Sequence, residues 1–120
     1  MNLPNGEHAV VEPDKVRDYL LDVAHPDGFG KATFFTAMGF QRKGWEALAE
    51  SLRQIARNSP VTKSMTSVHG QKYIVDGMVL TPMGQTIIVR TIWIVDKGEN
   101  RPRLVTAYPG DRSLDDDQRT

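Results

Sequence analysis

His25 stands in a His-Pro-Asp-Gly loop, six residues before Lys31. An imidazole titrates near neutrality and can move a proton, and an ammonium beside it can stabilise an oxyanion. The other half of the chain offers groups that hold anions. Arg90 lies at the middle of Thr86–Asp96, TIIVRTIWIVD, next to Thr91, and Arg103, Thr106 and Tyr108 follow in Arg103–Tyr108. Arginine is rarely buried unless its five donors meet an anion or several acceptors. Arg90 therefore either ties the fold together through an ion pair or faces a groove built for a negative ligand. As a set, His25, Lys31, Arg90 and Tyr108 are candidate catalytic groups. Thr91, Arg103 and Thr106 are candidate substrate contacts. His69, beside Gly70, and His8 read as surface histidines.

Other chemistries find no residues here. The absence of cysteine removes disulfides, cysteine nucleophiles and thiolate metal sites, and fits a reducing compartment. No His-x-x-x-His spacing, P-loop, dinucleotide fingerprint or G-x-S-x-G elbow is present. Asp115–Asp117 reads as solvated tail acids rather than a cation site. The expectation is metal-free acid–base chemistry with no cofactor. Net charge is zero, but residues 42–103 carry ten basic and five acidic side chains between two acidic flanks. Such a middle suits a local phosphate site better than general coating of DNA. No apolar run reaches the roughly 20 residues that span a bilayer. The N-terminus shows no signal-peptide pattern, so a cytoplasmic protein without membrane association is expected.

The elements that must position these groups can be read from the spacing of apolar residues. A helix is predicted from Pro13 to Val23, with Tyr19 and Leu20 toward the core. A second runs from about Lys31 to Met38 and stops at Gly39. A third covers Lys43 to Arg57, with Trp45, Leu48, Leu52 and Ile55 on one face. Strands follow at Thr62–Val68, Lys72–Asp76, Met78–Thr81, Gln85–Asp96 and Arg103–Tyr108, with Asp76-Gly77 and Pro82-Met83-Gly84 as turns. The fold class is α+β: three N-terminal helices on one face of a four-stranded antiparallel sheet, or five-stranded if Met78–Thr81 counts alone. Residues 10–109 form the single domain. Residues 1–9 are expected to be a flexible N-terminus and 110–120 a disordered acidic tail. Both faces of the long strand are apolar. Either Arg90 or Trp93 therefore lies on the face the helices leave open.

Several stretches together resemble an uncharacterised family of small bacterial domains. They are Lys15–Leu21, His25-Pro26 with Lys31 and Phe34-Phe35, Gly39-Phe40, Trp45–Leu48, Gly70–Gly77, Val89–Ile94 and Pro102–Pro109. That family is described only as a domain of unknown function, so the resemblance implies a fold and no activity. The layout is also similar to the barnase/EndoU/colicin/RelE-like group of metal-independent ribonucleases, small proteins that often act as toxins. This similarity implies that His25 and Lys31 from the helical half would meet Arg90, Thr91 or Thr106, and Tyr108 from the strands. It departs from that group in having no histidine on either long strand and no net positive charge.

Two functions are expected from these readings. One is RNA cleavage, with His25 as the base, Lys31 and Arg90 stabilising the phosphorane and Tyr108 orienting the phosphate. The other is a non-catalytic immunity- or antitoxin-type module, in which the open apolar sheet face meets a partner protein or a second copy in a homodimer.

Overall fold

The computed structural model describes residues 1–110. Pro13 opens the first helix, α1, where its missing N–H costs nothing. An α turn over Pro13–Lys15 widens into a π turn over Val16–Leu20. The helix stops there, short of Val23. The amide of Ala24 bonds Oδ1 of Asp22 instead, and Val23 is half exposed. The second helix, α2, is Phe29–Ala37, and the third, α3, is Trp45–Asn58. The four strands are β1 (Val61–Ser67), β2 (Gly70–Leu80), β3 (Thr86–Asp96) and β4 (Arg103–Pro109). They form one antiparallel meander in the order β1-β2-β3-β4. The fold is thus α+β, with N-terminal helices against a four-stranded antiparallel sheet.

The sheet also differs from the sequence-based expectation. Asp76-Gly77 is not a turn: β2 runs unbroken through it, paired with β3 from Gly70↔Asp96 to Leu80↔Thr86. Gly77 is there because α3 comes close. A Cβ at that position would lie 2.7 Å from Cγ1 of Ile55 and 2.8 Å from Oγ of Ser59. The strand therefore keeps a residue of poor strand propensity because nothing larger fits.

The inner face of the sheet carries Val75, Val79, Val89, Thr91, Trp93, Leu104 and Ala107, all buried. They meet Val16, Leu20, Phe35, Leu48, Leu52 and Ile55 of the helices in one core. Burying each large apolar side chain contributes about 1.5–3 kcal/mol, and this layer fixes how the helices sit on the sheet. Trp93 is on the helix side. By alternation Arg90 lies on the open side, with Ile88, Met78 and Leu80, which are 42%, 68% and 68% exposed.

The first nine residues make specific contacts with the rest of the fold. Leu3 is in the core, the amide of Val61 bonds the carbonyl of Met1, and Gly6–His8 forms a 3-10 turn. Residues 111–120, including the acidic tail, lie outside the described residues. Among the described residues no helix is long and apolar enough to cross a membrane.

Candidate functional site

At the edge strand β4 the helical half also touches the sheet through a polar contact, made by Tyr19. Its hydroxyl accepts a hydrogen bond from Nζ of Lys31 at 2.9 Å and shares another with Oγ1 of Thr106 at 3.2 Å. The Lys15 and Lys31 ammonium groups lie 5.2 and 5.3 Å from the centre of its ring. His25 packs edge-on against the same ring, with centroids 5.1 Å apart. An open cleft of about 670 Å³ lies beside them, lined in part by Lys15, Tyr19, His25, Val105 and Thr106, with Lys31 behind the Tyr19 hydroxyl it donates to.

Each position has a local cause. Tyr19 sits on the π turn of α1, and Lys31 on the first turn of α2. The loop between them folds onto Tyr19 because Gly28 is there. A Cβ at Gly28 would fall 2.5 Å from the Tyr19 carbonyl oxygen and 2.8 Å from its ring. On β4 the pairing with β3 slips by one residue, from Ile92↔Thr106 to Trp93↔Leu104, leaving Val105 as a bulge. Bulges re-aim neighbouring side chains at sheet edges, and here the bulge adjoins the cleft.

The electrostatics are mixed. Partial burial works to raise the Tyr19 phenol. The hydrogen bonds with Lys31 and Thr106 and the charges of Lys31 and Lys15 outweigh it, holding the phenol below the ordinary tyrosine range. Four carboxylates, Glu12, Asp14, Asp18 and Asp27, also line the cleft. Asp18 is neutralised by Arg17 and Arg42 at 3.0 and 2.7 Å.

His25 differs from the proton acceptor expected of it. Its Nδ1 accepts the amides of Asp27 and Gly28 at 3.0 and 3.1 Å. The lone pair of that nitrogen is used within the loop, so the neutral ring carries its hydrogen on Nε2 and presents a donor.

His25, Lys31 and Thr106 thus come together, and the remaining sequence candidates sit elsewhere. Arg90 is gripped by Asp76 directly opposite on β2, Nε to Oδ1 at 2.8 Å and Nη2 to Oδ2 at 2.9 Å. Those bonds hold its guanidinium above its usual range against the opposing effect of burial, with its β4 neighbour Tyr108 adding to it. Tyr108 is two residues beyond Thr106, about 7 Å along the same strand. Arg103 is clamped in the same two-pronged way by Asp96, at 2.6 and 3.0 Å, beside a second cleft of about 400 Å³ near Lys97 and Arg101. Thr91 is fully buried. It donates to the Val75 carbonyl and accepts from Nε1 of Trp93, so it reaches no substrate. The residue sequence reasoning missed is Tyr19, whose helical spacing with Val16 and Leu20 hid it among core positions. Its phenolic hydroxyl, a polar tip on an apolar body, was the signal available.

A family model described as "Domain of unknown function (DUF6883)" matches residues 2–111. No curated protein matches the chain. One solved structure with the same fold is titled "Contact-dependent growth inhibition toxin - immunity protein complex from Klebsiella pneumoniae 342". A chain of it is 20% identical, with a TM-score of 0.69, over 90% of this chain and 98% of that one.

Proposed function

The chain belongs to the DUF6883 family, and we propose that this member is a toxin-like domain that cleaves RNA in the cleft at the β4 edge. The observation that carries the reading is the convergence of Lys31 and Thr106 on the Tyr19 hydroxyl, within 3.2 Å contacts, where Tyr19 and Thr106 line an open cleft with His25 and Lys15. Lys31 and Lys15 supply the positive charge that a phosphorane transition state needs. His25 offers an N–H donor to a phosphoryl oxygen. Thr106 and Tyr108, two residues apart on β4, offer hydroxyls along the path of a backbone lying on that edge. Arg90, engaged by Asp76, has a scaffolding role in this reading. The carboxylates at the rim oppose a polyanion, so affinity is expected to depend on the lysine side of the cleft.

The test is incubation of the purified protein with tRNA and total RNA in EDTA. Fragments ending in a 2′,3′-cyclic phosphate are expected, and Lys31→Met and Thr106→Val should each cut slowly. RNA that survives intact, or variants that cut like the parent, end the reading.

The open face of the sheet favours a second, compatible role. Met78, Leu80 and Ile88 are exposed together there, and a solved structure with this fold is titled as a toxin–immunity protein complex. An inhibitor protein seated on that face would bury them. Calorimetry with the product of the neighbouring gene should give binding that Leu80→Glu abolishes. Equal affinity of the variant would exclude this face.

A further inference from the structure

We propose that Tyr19, not His25, is the group that takes and returns the proton in this cleft, with Lys31 as its partner acid. The proposal rests on the reading of the cleft as an RNA-cleaving site and assigns its acid–base pair. Three geometric facts lead to it. The Tyr19 hydroxyl is at the meeting point of the site, bonded to Lys31 at 2.9 Å and Thr106 at 3.2 Å. Two ammonium groups flank its ring at 5.2 and 5.3 Å. His25, the obvious alternative, has committed Nδ1 to two amides of its own loop. It would have to give up both bonds to hold a second proton there.

Charged groups line the cleft on the helix and loop sides of the phenol. The α1 side brings Lys15 and the carboxylates Glu12, Asp14 and Asp18. The loop brings His25 and Asp27, and α2 brings Lys31. The β4 side adds only the neutral Val105 and Thr106. The two lysines are the groups close to the ring itself, and together with the Lys31 and Thr106 hydrogen bonds they lower the phenol's pKa against the opposing effect of burial.

In the proposed step the reacting form is the phenolate–ammonium pair, which the hydrogen bond from Lys31 to the Tyr19 oxygen places in direct contact. The Tyr19 oxygen takes the proton of the ribose 2′-hydroxyl, and the 2′ oxygen attacks phosphorus. The bond from phosphorus to the 5′ oxygen breaks, and that oxygen takes a proton from Lys31. The products are a 2′,3′-cyclic phosphate and a 5′-hydroxyl. The proton on Tyr19 passes to the Lys31 amine along their hydrogen bond, and both groups return to their starting states.

Two measurements on the full chain test this. The first is the rate of tRNA cleavage against pH for the parent, Tyr19→Phe and His25→Ala, with folding of each checked by circular dichroism. Loss of a general base costs about 10²–10⁴-fold, and that loss is expected for Tyr19→Phe, with the base limb of the profile gone. His25→Ala should keep that limb and lose rate only. The second is ultraviolet titration of tyrosine, with Tyr19→Phe subtracted from the parent to isolate Tyr19. Its ionisation should move to higher pH in Lys31→Met. Cleavage that survives in Tyr19→Phe while His25→Ala is dead overturns the assignment and leaves the site standing. So does a Tyr19 titration that Lys31→Met does not move. RNA left intact by the parent protein removes the reading of the cleft as well.

Discussion

Arg90 on β3 and Asp76 on β2 stand directly opposite each other and share two parallel hydrogen bonds on the open face of the sheet. Their side chains are 34% and 26% exposed, so solvent still screens the pair. The net coupling is therefore expected to be modest, about 1 kcal/mol, near the upper end of what exposed pairs give. A double-mutant cycle with Arg90→Met and Asp76→Ala measures it through urea midpoints. The KM for RNA in Arg90→Met should stay at the parent value, because the guanidinium is a clamp. A raised KM with unchanged stability would mean instead that Arg90 grips substrate.

Gly77 makes a sharper stability prediction. An added methyl would meet Ile55 at 2.7 and 3.0 Å and Ser59 at 2.8 Å. Overpacking of this kind costs about 1–3 kcal/mol. For a domain of this size each kcal/mol lowers the melting temperature by about 4 °C. Gly77→Ala is expected to be destabilised accordingly, and Ile55→Ala, which removes both clashing carbons, should cost less in the Gly77→Ala background than in the parent. A melting temperature equal to the parent's would show that α3 can move away at no cost.

Gly77 and Tyr19 also mark what could and could not be read from the order of residues. The long apolar strand around Trp93 and the face of α3 marked by Leu48, Leu52 and Ile55 were legible, because burial forces periods of two and 3.6 on a sequence. Asp76-Gly77 is ambiguous in sequence because the same dipeptide serves tight turns and close helix approach, and only the position of Ile55 decides between them. The partner of Arg90 lies fourteen residues away on another strand, so finding it needs the register. The convergence of Lys31 and Thr106 was expressible only as residue types, because their meeting point is a tyrosine that also satisfies the helical apolar pattern. Thr91 carried the opposite ambiguity: a hydroxyl that looks available for substrate serves a buried indole.

That indole gives the third prediction. Thr91 is fully buried, accepts from Nε1 of Trp93 at 2.7 Å and donates to the Val75 carbonyl at 2.6 Å. Thr91→Val keeps the shape of the side chain and removes both bonds. It leaves a buried donor and a buried acceptor unsatisfied, at about 1–3 kcal/mol each. Lower stability and altered tryptophan fluorescence are expected, with RNA affinity unchanged in the folded protein. Unchanged stability would show that both groups find other partners.

The clamp between Asp96 and Arg103 should appear in the acid stability of the protein. The hydrogen bonds from Arg103 hold the Asp96 carboxyl below the ordinary aspartate range, against a smaller opposing effect of burial, and the Arg103 charge adds to them. A carboxyl whose folded-state pKa is depressed binds fewer protons folded than unfolded. Its contribution is fully present above the unfolded aspartate pKa and disappears as pH falls through the lower, folded value. Asp18 and Glu50 are shifted in the same direction, so the acid limb of the parent alone cannot isolate Asp96. The difference between parent and Arg103→Met can. Urea midpoints measured from neutral pH downward should show a constant gap until the aspartate range is reached. Below it the gap should narrow, because both proteins then carry a protonated Asp96. A gap that stays constant down to the most acid folded conditions would show that Arg103 stabilises the β3–β4 hairpin by packing rather than by holding that carboxylate.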